Sequence, residues 1–379
     1  MVLVATSCVA GPACNPARGC AYIHMAVSAA RLLARARVDV SGLLSGASKT
    51  HRAASVAQIR AAMVGPDSAG FFIADNVPKL ADEPYLAKIY EFAAAAHALP
   101  VEVKQRFLGQ GGSARAGATY SGSDAGQSEH SYDPTTVATA RSWDYARAPP
   151  SPSGTGSIAA SSELAPVMPP PYDYVTVLDE LYSLQNVVSS AVLEGVAEAL
   201  GEPRDCFSRH IGHGDMGTIR LISYPGSDDP SVADADVGIA PHTDFEAFTL
   251  MHQTSPGLQF LHQGGDAGGV DEWIEAPVGP FCVIIGDVLE RFTNGLLRAT
   301  PHRVLRTAAP RMSLIRFNAV APETLITPLP AFVSEVRPPS YTPVTMRRHM
   351  ETTLGNLDLG LGSWDAQRQR SLSATYQYD

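Results

Sequence analysis

Pro241-His242-Thr243-Asp244-Phe245 sets a histidine and a carboxylate two residues apart. Side chains alternate along an extended strand, so His242 and Asp244 would share a face and could grip one cation. A transition metal needs a further ligand, and His302, in Thr300-Pro301-His302-Arg303-Val304, is the candidate. Two histidines and one carboxylate on one side of an ion make the facial triad suited to Fe(II), whose opposite side stays open. A 2-oxo acid can chelate there and leave room for O2. The free carboxylate of such an acid needs a partner, and Arg311 and Ser313 follow His302 by nine and eleven residues. They again share a strand face, where a guanidinium fork can hold a carboxylate bidentately and a hydroxyl can add one hydrogen bond. His-x-Asp alone is a weak signal; His-x-Asp, then His, then Arg-x-Ser in that order is a specific one.

With those motifs the chain resembles the isopenicillin N synthase-like branch of the 2-oxoglutarate/Fe(II)-dependent dioxygenases, from about Val38 to about Tyr341. The resemblance implies that His242, Asp244 and His302 bind Fe(II), and that Arg311 and Ser313 hold the distal carboxylate of 2-oxoglutarate. Tyr224, just before Pro225, stands where family members use a tyrosine for the same carboxylate. Ascorbate is an accessory reductant in this reading. The implied chemistry is oxidation of a substrate C–H bond, ending in hydroxylation, desaturation or ring formation on a small specialised metabolite. Candidate substrate-side residues are Tyr120, Phe245, Phe292, Phe317 and Asn318. Many members of the family carry glycine one or two places after the metal Asp. Here Phe245-Glu246-Ala247 stands instead, which would reshape the pocket wall or place Glu246 outward.

The elements that must position these residues are read from periodicity. From Thr218 the chain breaks into short strands: Thr218 to Tyr224, Ile239 to Asp244, Ala247 to His252, Leu258 to His262, Trp273-Ile274, Phe281 to Ile285, His302 to Leu305 and Met312 to Phe317. Gly and Asp turns separate them, a pattern that suits a double-stranded β-helix, the distorted jelly roll. Tyr174 to Leu200 has apolar residues at helical spacing and is stopped by Gly201, so it reads as a buttressing helix. Further helices are expected at Ala54 to Met63, Tyr85 to His97 and Thr342 to Gly355, and a strand at Gly70 to Ala74. Gly286-Asp287 reads as a turn and Asn294-Gly295 as a hairpin. The fold class is mainly β with flanking helices, a double-stranded β-helix core preceded by an N-terminal α/β portion. Four segments follow: 1–37 as an extension, 38–171 as the α/β portion with an irregular substrate-side loop, 172–341 as the core with its helix, and 342–379 as a C-terminal helix and tail.

Residues 1–37 contain no Asp or Glu and several Arg, which fits a transit peptide, a disordered extension or a start at Met25. A cytoplasmic protein is expected, organellar if the first segment is a transit peptide. The 379 residues are 45% hydrophobic, ample for a core, with no apolar run long enough to span a membrane. A net charge of −10 without a basic stripe argues against nucleic acid. Cys8, Cys14, Cys20, Cys206 and Cys282 form no dense disulfide framework. The remaining expected partners are a small-molecule substrate and O2, and the chain is expected to be a monomer. His210, His213, His252 and His262 read as surface or hydrogen-bonded residues rather than ligands. Two other readings compete: an isopenicillin N synthase-type oxidase that uses O2 without 2-oxoglutarate, and a non-catalytic jelly-roll binding module.

Overall fold

The computed structural model describes residues 29–65, 68–108, 117–129, 132–133, 139–146, 174–211, 214–226, 237–262, 271–365 and 370–371. The expected connector at Pro149–Pro171, the thiols of Cys8, Cys14 and Cys20, and His213 lie outside these residues. Within the stretch read as an extension, residues 29–35 are helical, and Leu32 and Ala36 are buried.

Twelve strands build the body: β1 (Arg37–Asp39), β2 (Phe71–Asp75), β3 (Gly117–Ser121), β4 (Arg141–Ala146), β5 (Thr218–Tyr224), β6 (Val237–His242), β7 (Phe248–Gln253), β8 (Leu258–His262), β9 (Glu272–Glu275), β10 (Phe281–Ile285), β11 (His302–Leu305) and β12 (Arg311–Asn318). They form two sheets, one in the order β1-β2-β10-β7-β12-β5-β4-β3 and one in the order β6-β11-β8-β9. Only β1–β2 is parallel; every other pairing in the two sheets is antiparallel. Two facing antiparallel sheets of non-sequential strands are the double-stranded β-helix expected from the strand pattern.

Alternation along the strands divides the interior in two. On β12, Leu314 belongs to a core shared with the helices Lys49–Met63, Glu83–His97 and Tyr174–Leu200, while Ile315 belongs to a core between the two sheets. On β5 the same split separates Leu221 from Ile222 and Tyr224. Period-two alternation thus turns one side of the large sheet toward its helices and the other toward the small sheet. The helix Tyr174–Leu200 occupies the span read from sequence, and Gly201 ends it at φ +84°. Val188 is buried but its neighbour Val187 is 62% exposed, outside the packed stripe. Under the large sheet Arg316 and Asp215 form a fully buried ion pair at 3.7 Å. Arg316 also donates to Asn186 of that helix and lies over the Tyr182 ring.

Two local expectations change. Asn294 and Gly295 do not make a hairpin: with φ of +52° and +76° they follow the short helix Asp287–Phe292 and lead the chain back toward β11. Gly286 precedes that helix in extended conformation. The C-terminal helix runs Met346–Asp358 rather than from Thr342, because the Thr345 side chain caps it by accepting from the Arg348 amide. No helix among the described residues is long and apolar enough to cross a membrane. Cys206 and Cys282 are buried free thiols.

Candidate metal centre

The two histidines face each other across a strand pair, with His302 of β11 directly opposite His242 of β6. Each ring is oriented by the backbone two residues before it. His242 Nδ1 lies 2.8 Å from the Ala240 carbonyl and His302 Nδ1 lies 3.0 Å from the Thr300 carbonyl. A carbonyl can only accept, so both Nδ1 atoms carry the proton and both Nε2 lone pairs are left bare, the form in which imidazole binds a metal. Each Nε2 is 3.6 Å from Asp244 Oδ1. Ligands about 2.1 Å from one ion stand about 3–4 Å from each other, so the three atoms fit one small cation. This buried trio is the only His/Cys/Asp/Glu cluster of metal-binding geometry among the described residues. Burial, then the neighbouring His302, hold the His242 imidazole well below the ordinary histidine range, so the ring stays neutral with its Nε2 lone pair free.

Asp244 is not on the strand. β6 ends at His242, and the chain leaves the strand so that the aspartate reaches the same point from just before a bend at residues 245–247. That turn is fixed from outside: the Asp287 amide donates to the Asp244 carbonyl at 2.9 Å and the Val288 amide to that of Glu246 at 3.1 Å. Thr243 Oγ1 donates to Asp287 Oδ1 at 3.0 Å, and Thr249 Oγ1 donates to Asp244 Oδ2, which leaves Oδ1 toward the histidines. Asp287 and Glu290 are therefore structural, as expected; Glu290 accepts from the Ala299 amide and the Tyr341 hydroxyl.

A cavity between the sheets opens on the trio, walled by Tyr132, Arg220, Tyr224, Met251 and Phe317 among others. Arg311 and Ser313 share the face of β12 that carries Ile315 and Phe317, as the spacing predicts. Arg311 Nη2 donates to Gln253 Oε1 at 2.7 Å and to Ser313 Oγ at 3.0 Å, and the guanidinium lies 4.3 Å from the Tyr224 ring centre. Its Nη1 and the Tyr224 hydroxyl are buried with no hydrogen-bond partner among the described residues. No carboxylate among them pairs with this buried cation.

The other wall was not visible in sequence. Tyr132 stacks face to face on His242, with ring centres 3.9 Å apart and planes 7° from parallel. Its edge meets Phe245 at 6.1 Å. Arg220 reaches the cavity from β5, held by Asp144 through two 2.7 Å bonds and by Glu129 at 3.4 Å, with Phe317 beneath it.

Of the substrate-side candidates, Phe317 lines the cavity, and Phe245 is buried against Tyr132. Tyr120 does not: it lies on β3 at the far edge of the large sheet, its ring against Trp143 and its hydroxyl donating to Asp124. Phe292 turns away into the core against Phe207 and His210. Asn318 falls on the helix side of β12, where its amide donates to the Arg316 carbonyl. Glu246 does not point outward. It is 7% exposed, because the clamped turn carries it inward; burial, then the Asp244 carboxylate, push its acid up to about 8. His252 is a hydrogen-bonded core residue as expected, paired with the Tyr90 hydroxyl at 2.7 Å.

A family model described as the 2OG-Fe(II) oxygenase superfamily matches residues 216–319, the span from β5 through β12. Homoarginine-6-hydroxylase 2-ODD-C23 of Glycine max is 31% identical over 182 residues, 46% of this chain and 53% of that protein. Gibberellin 2-beta-dioxygenase 2 of Arabidopsis thaliana is 32% identical over 184 residues, 46% of this chain and 52% of that one. The chain spans about half the length of these curated relatives. Among solved structures, a full-length Neurospora crassa protein in complex with alpha-KG superposes with a TM-score of 0.66 at 19% identity, covering 84% of this chain and 95% of that one. A 2OG-Fe(II) oxygenase family protein from Caulobacter crescentus gives 0.64 at 22% identity, over 85% and 98%. At these identities the structural likeness establishes the fold.

Proposed function

We propose that this chain, whose residues 216–319 match the 2OG-Fe(II) oxygenase superfamily, couples oxidative decarboxylation of 2-oxoglutarate to oxidation of a C–H bond in a small specialised metabolite. The observation that carries the reading is a pair of features: three bare ligand atoms facing one cavity, and, against the Tyr224 ring of that cavity's wall, a buried guanidinium with no carboxylate partner among the described residues. His242, Asp244 and His302 would hold Fe(II). Arg311, with Ser313 and the Tyr224 hydroxyl, would take the distal carboxylate of the oxo acid, filling the donors that the fold leaves unpaired. When bound, iron and 2-oxoglutarate supply O2 activation, with CO2 and succinate as the other products.

The chain's own part is positional. Ala240 and Thr300 fix the tautomer of each histidine, and Thr249 fixes the aspartate. Ile222, Met251, Leu258 and Ile315 keep the space around the oxo acid dry, which strengthens every charge contact in it. Tyr132 covers one face of His242, so substrate must enter beside it, along Arg220 and Phe317. The relatives whose names give hydroxylase and dioxygenase activities on small molecules support this substrate class.

Anaerobic addition of 2-oxoglutarate to the Fe(II)-loaded protein should give a visible charge-transfer band, and O2 uptake with succinate release should require the oxo acid. A band absent at saturating oxo acid, or substrate-driven O2 uptake without it, would transfer the site to the oxidase reading, in which Arg311 binds a substrate carboxylate.

A further inference from the structure

Four consecutive peptide groups run through the turn that carries Asp244, and each of their carbonyls has a partner from another element. The Asp244 carbonyl accepts from the Asp287 amide at 2.9 Å, the Glu246 carbonyl from Val288 at 3.1 Å and the Ala247 carbonyl from Gly286 at 3.0 Å. These donors are successive main-chain amides at the start of one short helix. The Phe245 carbonyl falls out of their reach, and it is met by a side chain instead: His349 Nε2, 3.1 Å away, from the C-terminal helix Met346–Asp358. His349 is completely buried, and the Asp287 carboxylate that receives Thr243 lies 4.0 Å from the same nitrogen. Because the acceptor is a carbonyl, Nε2 carries the proton, and burial together with the Arg291 guanidinium keeps the ring neutral. A buried carbonyl without a donor is costly, so loss of this bond would be relieved by rotation of the Phe245–Glu246 peptide, one residue beyond the metal aspartate.

The same turn touches the second wall. Phe245 meets the edge of Tyr132, which stacks on His242. The segment after the C-terminal helix returns to that wall, the Ser363 amide donating to the Tyr132 carbonyl at 3.0 Å. Residues more than a hundred positions away in sequence thus hold the backbone of Phe245 and of Tyr132, the ring stacked on the first histidine.

We propose that His349 is a positioning residue of the metal centre: by donating to the Phe245 carbonyl it fixes the ligand turn, so that Asp244 meets His242 and His302 in one geometry. The proposal rests on the reading of His242, Asp244 and His302 as metal ligands. It extends the supporting shell of the site from the barrel to the C-terminal helix.

The probe is Co(II) alone, titrated into the full-length protein and followed by its visible absorption, well below each variant's melting temperature. His349→Leu removes the donor and should weaken Co(II) binding about tenfold, the low end for loss of a supporting hydrogen bond around a metal site. His349→Gln keeps an N–H donor on a side chain of similar reach and should restore most of the affinity. A purely structural histidine would lower the melting temperature of both variants and leave Co(II) affinity unchanged; that result overturns the proposal. Should His349→Leu fail to fold, the wild-type protein decides through reciprocity, since a helix that biases the site must be biased by it. Saturating Co(II) should then slow amide exchange in the helix around His349, and unchanged exchange there overturns the proposal. Absence of saturable Co(II) binding in the wild-type protein, or binding that survives His242→Ala, would instead refute the metal centre itself.

Discussion

Substitution of Arg311 tests the oxo-acid site most sharply, because the structure fixes what is lost. The guanidinium is 2% exposed and spends its inner donors on Gln253 and Ser313, leaving Nη1 for a ligand. A hydrogen bond to a charged group contributes about 1.5–3 kcal/mol, so a carboxylate held by both N–H groups of Nη1 gains about 3–6 kcal/mol. At about 1.4 kcal/mol per decade, Arg311→Gln should weaken 2-oxoglutarate by roughly a hundredfold to ten-thousandfold. Arg311→Lys keeps the charge but not the fork, loses about one bond, and should cost roughly ten- to a hundredfold. The assay is anaerobic titration of 2-oxoglutarate into the Fe(II)-loaded variants, read by the charge-transfer band, with melting curves to confirm folding. Both affinities within about threefold of wild type would refute a role for Arg311 in binding. Full affinity in the lysine variant alone would show that a point charge suffices and that the fork argument is wrong.

Two further outcomes concern the housing. Asp215→Ala should destabilise the fold by about 3 kcal/mol in urea unfolding, the low end for an orphaned buried cation, because Arg316 keeps its bond to Asn186; a loss below about 1 kcal/mol would mean that the pair is not the anchor of β12. His97 is held at about 4 chiefly by burial, below its unfolded value, so it contributes stability that is complete above about pH 6.5 and is lost as pH falls toward 4. That window corresponds to about 3 kcal/mol at most, and His97→Gln should flatten the stability curve across it; an unchanged slope between wild type and variant would remove His97 as the cause.

The proposed metal side of the site is legible in sequence because its signals are local. His242 and Asp244, and Arg311 and Ser313, are pairs whose spacing survives any error in the wider fold, and the strands that carry them announce themselves by turn residues. Even there the reason differs in part: Asp244 arrives from a clamped turn, not by strand alternation. The substrate side was illegible because it is made of long-range contacts. Nothing periodic surrounds Tyr132, and its stacking on His242 joins residues more than a hundred positions apart. Tyr120 and Phe292 looked plausible from their neighbours in sequence, but one sits at an outer sheet edge and the other on the core face of a helix. Of the two expectations for the Phe245-Glu246-Ala247 stretch, the outward Glu246 fails, because charge predicts exposure unless the backbone forbids it, and here four tethered carbonyls decide its direction.

The stacking of Tyr132 on His242 has a consequence for how such a protein can diversify. The proposed ligands and oxo-acid residues all lie between Tyr224 and Ser313, on strands that pair with one another or on the turn between β6 and β7. The ring that narrows the approach comes instead from an excursion between β3 and β4, tied down by a segment near the C-terminus. Exchange of that excursion would alter which molecules reach the proposed metal centre while leaving the centre's own scaffold intact. On the proposed function, selectivity and reactivity thus lie on separate stretches of the chain, and a change in one need not disturb the other.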